Sequence, residues 1–400
     1  MKSFVSERIS SIPTSGIRVI FEKASKIPDA IRMEVGEPDF ETPALIGDAA
    51  KRAIDEGFTH YTSASGTPEL RQAIAAKLKR DNRIEADPAT EVVVTPGAGA
   101  ALYLAILCTV NPGDEMLIPD PGWPHYEACI NLAGGLPVRY PTVEEAGFRP
   151  SVEGISRLLG PRTRAIVVNS PSNPTGAVLG RRDLEAIADL AQAEDLLVIS
   201  DEVYEKIVYD GATNQSLGSF DGMARRTITL NALSKTYAMT GWRIGYAAAP
   251  PEIAIQMTKL NLFTSGCASS IAQKAAVAGL NGPQDEAARM LSEYGRRREL
   301  IVRRLNEIEG FSCARPAGAF YAFPAVDGGW GRNSFDAAMF LLDGARVATV
   351  PGSSFGPAGE RHLRFSYATS LEQIDEAMDR IDAAVRNVAT AGGRGRSAKA

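Results

Sequence analysis

Along most of the chain, short runs of apolar and β-branched residues alternate with longer segments in which apolar residues recur every three or four positions. The short runs are typical of strands buried on both faces, and they lie at 91–94, 114–120, 163–169, 196–200, 226–230 and 243–249. The longer segments have the period of amphipathic helices, as at 43–57, 66–82 and 181–195. This alternation predicts an α/β fold, with a three-layer αβα large domain built on a mainly parallel sheet.

The segment 66–82 carries the clearest signal for the start of a helix. Thr67 is a typical N-cap residue, Pro68 suits the first helical position, and Glu69 places a negative charge in the first turn. We therefore expect this helix to begin directly after Thr67.

The pattern changes after about residue 285. A long, highly charged helical segment at 293–309 is followed by strand-like runs at 318–326 and 360–369, which indicates a smaller α+β domain. We predict a large domain over 41–285 and a small C-terminal domain over 286–390. The final segment, 391–400, is rich in glycine and arginine and is expected to be disordered.

Composition and charge narrow the classes of partner. The 400 residues are 44% hydrophobic and 23% charged, which is typical of a globular protein, and the formal net charge is −5. This negative balance argues against nucleic acid and anionic membranes as partners.

The four cysteines lack metal-binding spacing, so we expect no metal site. We expect the cysteines to be free thiols in a reducing compartment. The N-terminus lacks the apolar core of a signal peptide, and no apolar run is long enough to span a bilayer, which predicts a cytoplasmic protein.

Chemically versatile side chains follow four of the predicted strands. In an open α/β sheet, ligands bind just beyond the carboxyl ends of the strands. The residues at these ends are Thr95–Ala100, Asn169–Gly176, Asp201 with Glu202 and Tyr204, and Asn231 with Ser234 and Lys235, shortly followed by Arg243. We therefore expect an amine, a carboxylate, a phenol, an amide, a guanidinium and a glycine-rich turn to meet at one edge of the sheet.

Taken singly, these features leave alternatives open. The turn GAGAAL at 97–102 places free backbone N–H groups at a helix N-terminus, which suits an anion. The turn also resembles the start of a dinucleotide fingerprint, but Leu102 stands where that fingerprint has its third glycine. Asp201 could equally cap a turn, Arg243 could pair with a carboxylate, and Trp123 could belong to the core.

Pyridoxal phosphate is the cofactor that uses all of these groups together. Lys235 would bond to its aldehyde, and Asp201 would face its pyridine nitrogen and keep the ring electron-withdrawing. Tyr204 and Asn173 would donate to its phenolate oxygen. The remaining predicted contacts are stacking by Trp123 and a phosphate site made of Gly97, Ala98, Gly99, Ser234 and Arg243.

The order of the motifs resembles that of one family. VGEPDF, YTSASGTPELR, NPTG, SDEVY, SKTYAMTGWRIGY and RFSYAT follow one another along nearly the whole chain. In this respect the sequence is similar to the class I/II pyridoxal-phosphate-dependent aminotransferases of the aspartate aminotransferase family, which have fold type I. The resemblance implies that Arg364 binds the substrate α-carboxylate with help from Asn173 and Gly36, and that Trp123 also contacts the substrate.

The resemblance has further implications for assembly and mechanism. It implies a homodimer with shared active sites, in which Tyr61 reaches the cofactor phosphate of the other copy. The N-terminal segment 1–40 would join the C-terminal part in the small domain and close over the site. Lys235 would act as the base and acid that moves the proton of the substrate Cα. An amino group would thereby pass from an L-amino acid to a 2-oxo acid such as 2-oxoglutarate.

Two positions depart from aspartate-using relatives, which commonly carry a lysine where this chain has Gly99 or Ile12. Neither residue can carry a charge, so we expect neutral or aromatic amino acids as donors and regard aspartate as doubtful. The remaining cations that could pair with a distal carboxylate are Arg18, Arg32 and His125. A lyase that eliminates from Cβ or Cγ would use the same site residues, so this alternative stays open.

Overall fold

The computed structural model describes residues 4–10, 12 and 16–397. The α-helices of this part are α1 (Glu7–Ser10), α2 (Gly16–Ala24), α3 (Ala44–Asp55), α4 (Pro68–Lys77), α5 (Ala98–Thr109), α6 (His125–Ala133), α7 (Val152–Ser156), α8 (Arg181–Ala193), α9 (Leu233–Thr236), α10 (Pro251–Thr264), α11 (Ser270–Asn281), α12 (Asp285–Glu307), α13 (Ser334–Phe340) and α14 (Leu371–Ser397). The strands are β1 (Ile31–Arg32), β2 (Val92–Thr95), β3 (Glu115–Asp120), β4 (Leu136–Val143), β5 (Arg149–Pro150), β6 (Thr163–Asn169), β7 (Leu197–Asp201), β8 (Thr227–Ala232), β9 (Gly245–Ala248), β10 (Phe311–Ser312), β11 (Tyr321–Ala322), β12 (Ala325–Val326), β13 (Val347–Ala348), β14 (Val350–Pro351) and β15 (Leu363–Ser366). Two π-helical turns, Leu78–Asn82 and Leu341–Ala345, follow α4 and α13.

The large central sheet has eight strands in the order β2-β9-β8-β7-β6-β3-β4-β5. The pairs from β8 through β7, β6 and β3 to β4 are parallel, whereas β9 is antiparallel to both neighbours and β5 is antiparallel to β4. Buried apolar clusters cover both faces: α5, α6 and α10 pack on one, and α4, α8 and α11 pack on the other. The predicted three-layer αβα architecture with a mainly parallel sheet is confirmed.

Helix α4 begins where the sequence predicts it. The Thr67 hydroxyl accepts a hydrogen bond from the Leu70 N–H at 3.3 Å, and Pro68 occupies the first helical position. The cap pairs an N–H group that would otherwise have no partner in the helix, and such caps contribute about 1 kcal/mol. The prediction for the start of this helix is confirmed.

The N-terminal and C-terminal segments form a set of small sheets. Strand β1 pairs in parallel with β13, and β11, β15 and β14 form an antiparallel sheet. Helices α2, α12, α13 and α14 share one buried apolar cluster with β1, β11, β13 and β15. The domain bounds 1–40, 41–285 and 286–390 stay predictions. Helix α14 continues to Ser397 and 398–400 lie outside the described residues, so the disorder expected for 391–400 also stays a prediction.

Membrane-spanning helices, metal-binding clusters and the state of the cysteines can each be examined in the structure. Within the described part of the chain, no helix has the length and apolar character needed to cross a membrane. The same residues contain no cluster of three or more side chains suited to holding a metal ion. The four cysteines are unpaired: Cys129 and Cys313 are buried, whereas Cys108 and Cys267 are partly exposed.

Candidate active site

The carboxyl ends of β6, β7 and β8 meet at one cavity of about 720 Å³. Apart from Gly97 and Tyr61, every residue predicted for the site lines this cavity: Gly36, Ala98, Gly99, Trp123, Asn173, Asp201, Tyr204, Ser234, Lys235, Arg243 and Arg364. These residues meet because neighbouring parallel strands bring their carboxyl ends to the same edge of a sheet.

Lys235 lies in the short helix α9, directly after β8. Its Nζ donates a hydrogen bond to the backbone oxygen of Gly36 at 2.5 Å and lies 6.0 and 5.8 Å from the ring centres of Tyr204 and Phe320. Burial lowers the pKa of the Lys235 amine to about 8, because the charged form loses solvation. Glu37 opposes this shift, whereas two arginines that line the cavity add to it. The neutral, nucleophilic amine is therefore accessible near neutral pH.

Asp201 ends β7 and is buried. Its Oδ2 accepts a hydrogen bond from the Tyr126 hydroxyl at 2.7 Å, and its Oδ1 accepts one from the Val203 N–H at 3.3 Å. Burial raises the pKa of the Asp201 carboxyl, and both hydrogen bonds oppose this shift because they favour the charged form. Sequence reasoning missed Tyr126. Tyr126 is 75 residues from Asp201 in the sequence, so no local pattern marks it as part of the site.

Two tyrosine hydroxyls, of Tyr204 and Tyr321, meet at the wall of the cavity. The hydroxyl oxygens of Tyr204 and Tyr321 lie 2.6 Å apart, so one donates a hydrogen bond to the other. Burial raises the pKa of both phenols, which keeps them protonated and able to donate. A Cβ at Gly36 would lie 2.5 Å from the Tyr321 hydroxyl, so this position requires glycine. Sequence reasoning missed Tyr321, which reaches the cavity through the pairing of β11 with β15.

The glycine-rich turn and Arg243 lie side by side. Gly97 precedes α5 with a φ of 85°, which favours glycine, and a Cβ there would lie 2.4 Å from Nη2 of Arg243. The Arg243 guanidinium donates to the carbonyl oxygens of Thr240 and Pro96 at 3.1 and 3.5 Å. Among the residues that the structure describes, no carboxylate forms an ion pair with Arg243. A helix N-terminus beside such a guanidinium suits a phosphate group.

Arg364 lies in β15 and is only 4% exposed. Its guanidinium donates to Asn173 Oδ1 at 3.0 Å and to the Glu34 backbone oxygen at 2.7 Å, and its Cζ lies 4.4 Å from the ring centre of Tyr321. Its Nε has no hydrogen-bond partner, and within the described chain no carboxylate pairs with it. A buried cation without a counter-ion is unfavourable, so this position favours a ligand that supplies a carboxylate.

A second cavity of about 700 Å³ adjoins the first. Trp123 and His125, whose ring centres stack at 4.0 Å, line both cavities, as do Ile17 and Phe21 of α2. Burial lowers the pKa of His125, so its imidazole is neutral at neutral pH. Because the two cavities share these walls, the second is a candidate site for the side chain of a substrate whose α-carboxylate is bound in the first.

Tyr61 does not join the cavity of its own chain. Its side chain is 91% exposed. The N–H of the next residue, Thr62, donates to Cys267 Sγ at 3.5 Å, which places this segment beside the residues that precede α11. The contact predicted between Tyr61 and a cofactor in the other copy stays a prediction.

The groups around the first cavity fit pyridoxal phosphate. The lowered pKa of Lys235 suits bonding to an aldehyde, and the buried Asp201 carboxylate suits a protonated pyridine nitrogen. The protonated phenol of Tyr204 can donate to a phenolate oxygen. A side chain at Gly97 would collide with the Arg243 guanidinium, so glycine here lets the guanidinium lie beside the helix N-terminus, and these two groups together suit a phosphate. The individual roles stay predictions, but the set of donors matches the cofactor.

Known proteins resemble this chain over nearly its whole length. The family described as aminotransferase class I and II matches residues 28–381. The chain is 46% identical over 384 residues to an aspartate aminotransferase of Pyrococcus abyssi, covering 96% of this chain and 98% of that protein. It is 44% identical over 380 residues to aromatic-amino-acid aminotransferase 2 of Thermococcus litoralis, covering 94% and 97%. The crystal structure of an aromatic aminotransferase from Pyrococcus horikoshii has a TM-score of 0.88 at 45% identity, covering 92% of this chain and 99% of that chain.

The fold and the donor set define a pyridoxal-phosphate-dependent enzyme. The chain belongs to the class I and II aminotransferases. It is a transaminase, and its substrates are amino acids and their oxo acids. The lyase alternative is not favoured, because these relatives are named aminotransferases, and they give no support to the dinucleotide interpretation of the glycine-rich turn.

Proposed function

We propose that this transaminase takes the amino group from a neutral or aromatic L-amino acid, that its acceptor is a 2-oxo acid such as 2-oxoglutarate, and that aspartate is a poor donor. The observation that carries this proposal is the second cavity, whose cations already have partners. Arg18 pairs with Glu22 at 2.6 Å, and Arg139 pairs with Glu127 at 2.5 Å. The short distal carboxylate of aspartate would have to displace one of these acids. An apolar side chain instead gains about 25 cal/mol for each Å² of its surface that is buried.

We propose that the residues of the first cavity divide the reaction between them. Bound pyridoxal phosphate supplies an electron-withdrawing ring that stabilises negative charge at the substrate Cα. Lys235 takes the proton from Cα as general base and returns a proton as general acid. Arg364 holds the substrate α-carboxylate and so fixes which substrate bond faces Lys235. The other proposed contacts are Gly36, Trp123 and Asn173 to the substrate, and Tyr61, Gly97, Ala98, Gly99, Trp123, Asn173, Asp201, Tyr204, Ser234 and Arg243 to the cofactor.

A panel of donors tests the substrate proposal. The enzyme loaded with pyridoxal phosphate is assayed with the proteinogenic amino acids against 2-oxoglutarate, pyruvate and oxaloacetate. We expect the best neutral or aromatic donor to exceed aspartate in kcat/KM by about tenfold or more, the scale on which one pocket contact discriminates. An aspartate value equal to or above that donor would contradict the proposal. Stoichiometric amination of the acceptor indicates transfer, whereas ammonia released without an acceptor would indicate elimination.

We propose that two copies form a homodimer with shared sites. The segment after Tyr61 lies beside the end of α10, because Asn261 donates to the Ala64 carbonyl oxygen at 2.7 Å. Leu262 and Phe263 at that end are 57% and 78% exposed, and adjacent exposed apolar side chains are typical of interfaces.

Light scattering and cofactor titration test the dimer. We expect about twice the 42.7 kDa mass of one chain. Tyr61→Phe should keep that mass and weaken cofactor affinity about tenfold, because it removes one hydrogen bond to a charged group. A single-chain mass, or unchanged affinity in this variant, would contradict the shared site.

We also propose a cytoplasmic location. The four cysteines are unpaired, and this supports a reducing compartment. Cell fractionation followed by immunodetection tests the proposal. Recovery of the protein from the membrane or the secreted fraction would contradict it.

A further inference from the structure

The segment that carries Asp201 and Tyr204 has two chemically different sides. Asp201 and Tyr204 line the first cavity. Ser200, Glu202 and Glu205 do not line it, and the two glutamates are buried, with exposures of 1% and 7%. Glu202 directly follows β7, and Glu205 lies in the turn after it, where its N–H donates to the Glu202 carbonyl oxygen at 2.9 Å. The two glutamates therefore lie behind the wall that presents Asp201 and Tyr204 to the cavity.

A buried hydrogen-bond network surrounds these two glutamates. Glu205 forms an ion pair with Lys77 and accepts a hydrogen bond from Asn82 Nδ2 at 2.6 Å. Asn82 joins both acids to the lysine, because its Nδ2 lies 3.1 Å from Glu202 Oε2 and its Oδ1 accepts from Lys77 Nζ at 2.7 Å. Glu202 accepts further hydrogen bonds from the side chains of Ser200, Asn214 and Ser216.

The π-helical turn Leu78–Asn82 brings the lysine and the asparagine to this network. Residues five apart lie on the same side of a π-helix, whereas an α-helix separates them. Lys77 and Asn82 have this spacing, and they are only 3% and 5% exposed. Such turns are rare and are frequently found at functional sites. Here the turn places Lys77 in contact with Glu205 behind the cavity wall, although the two residues are 128 positions apart in the sequence.

We propose that Lys77 is a positioning residue, which acts through the two buried glutamates to hold the backbone that aims Asp201 and Tyr204 at the cofactor. The ammonium group of Lys77 pairs with Glu205, so its removal leaves the negative charge of Glu205 uncompensated behind the cavity wall. The segment 201–205 then moves, because Glu205 has lost the ion pair that anchors it. The inference rests on the cofactor contacts assigned to Asp201 and Tyr204 in the proposed function.

The Lys77→Met variant tests the inference, because methionine has a similar length and no charge. The measurements are the dissociation constant of pyridoxal phosphate for the apoenzyme, from absorbance titration, and thermal unfolding with and without the cofactor. We expect the dissociation constant to rise about tenfold or more and the gain in unfolding temperature on cofactor binding to shrink accordingly. Native cofactor affinity in this variant overturns the inference.

Arg304→Met is the matched control. Arg304 forms ion pairs with Asp375 and Asp379 that join α12 to α14, and it does not line the cavity. This variant should lower the unfolding temperature and leave the cofactor dissociation constant within about twofold of native. A change that destabilises the free and the cofactor-bound enzyme equally does not alter cofactor affinity. An equal loss of affinity in both variants overturns the inference, because it would show a general effect of instability.

The double variant Lys77→Met, Glu205→Met separates positioning from simple burial of charge. It removes the orphaned acid, so it should regain unfolding temperature while its cofactor affinity stays low. Recovery of both properties together overturns the inference. If Lys77→Met does not fold, the affinity of the double variant decides the question alone.

Asp201→Asn, measured beside these variants, separates this inference from the proposed function. Loss of affinity in Asp201→Asn with native affinity in both Lys77 variants overturns only the positioning role. Native affinity in Asp201→Asn removes the cofactor contact assigned to Asp201, and the inference fails with it.

Discussion

The two cavities of the active site differ in how their side chains are held. In the first cavity, Asp201 and Arg364 are 5% and 4% exposed, and each lies within a strand. Their polar atoms form hydrogen bonds of 2.7 to 3.3 Å with neighbouring groups. In the second cavity, Phe21 of α2 is 48% exposed, and Trp123 and His125 are in contact by stacking. The charged groups of the first cavity thus lie on buried strands, whereas the second cavity is lined in part by exposed side chains of α2.

We propose that this difference separates reaction chemistry from substrate choice. A reaction needs charged groups at fixed positions in a site that excludes water, and strand ends hold them rigidly. Substrate choice needs shape and apolar area, which a peripheral helix can supply without disturbing the sheet. We therefore expect changes in the first cavity to alter rates by orders of magnitude and changes in the second to alter preferences by smaller factors.

The largest effect is expected for Lys235→Ala in the first cavity. This variant removes the amine that moves the substrate proton, so kcat should fall by about 10⁴-fold while the cofactor still binds without a covalent bond. Borohydride treatment and peptide mass analysis should place the cofactor on the peptide that contains Lys235 in the native enzyme. A label on another peptide, or turnover close to native in the variant, would contradict the assignment.

Arg364→Met should lower kcat/KM by about 10³-fold, because removing a buried charged partner of a carboxylate costs about 2–5 kcal/mol. The free energy of unfolding should not fall, since the native chain buries this cation without a carboxylate partner among the described residues. Steady-state kinetics and urea unfolding measure the two quantities. Parallel loss of stability and activity would show that Arg364 supports the fold rather than the substrate.

The next largest effect is expected in the pH dependence of the reaction between the Lys235 amine and pyridoxal phosphate. Burial lowers the pKa of this amine to about 8, so the neutral form accumulates at lower pH than in an exposed lysine. Its fraction rises from about one tenth at pH 7 to about nine tenths at pH 9. The rate at which the apoenzyme bonds to pyridoxal phosphate should rise about tenfold over this range, as followed by stopped-flow absorbance. A midpoint above about pH 10 would show that the amine is solvated.

Much of the first cavity could be predicted from local sequence. Runs of β-branched residues marked the strands, and the ends of parallel strands meet whatever the loops between them do. Asp201, Asn173 and Lys235 could therefore be brought together without knowledge of any contact between them. The start of α4 likewise depends only on Thr67 and the residues that follow it.

The rest depends on contacts between distant segments. Tyr126 is 75 residues from Asp201, and Tyr321 is 117 residues from Tyr204, so no local pattern marks either tyrosine as part of the site. An apolar run indicates that a strand is buried, but it does not indicate whether the strand runs parallel or antiparallel to its neighbours. The antiparallel pairing of β9 could therefore not be predicted. Arg364 could be assigned only through family resemblance, because an arginine in a strand is common at a protein surface.

Gly99→Lys tests the proposed preference for apolar donors by adding, in the first cavity beside the shared wall residue Trp123, the charge that aspartate-using relatives carry. A Cβ at Gly99 would lie 3.9 Å from Trp123, so a side chain can be accommodated. We expect kcat/KM for aspartate to rise about fivefold relative to phenylalanine, since one exposed ion pair contributes up to about 1 kcal/mol. Gly99→Met is the control of similar length. If it gives the same gain, the size of the residue and not its charge sets the preference.

The smallest effect is expected outside both cavities, for Thr67→Ala. Loss of the hydroxyl leaves the Leu70 N–H without its cap, so the free energy of unfolding should fall by about 1 kcal/mol in urea titration. Thr67→Ser keeps the hydroxyl and should recover most of this loss. Because α4 ends at Lys77, the same variants also measure how far the buried network reaches. Cofactor affinity within about twofold of native is expected, since capping effects are confined to the first turn of a helix. A larger loss of affinity would mean that the whole of α4 positions the first cavity, and the division between structural and functional parts of the helix would then be wrong.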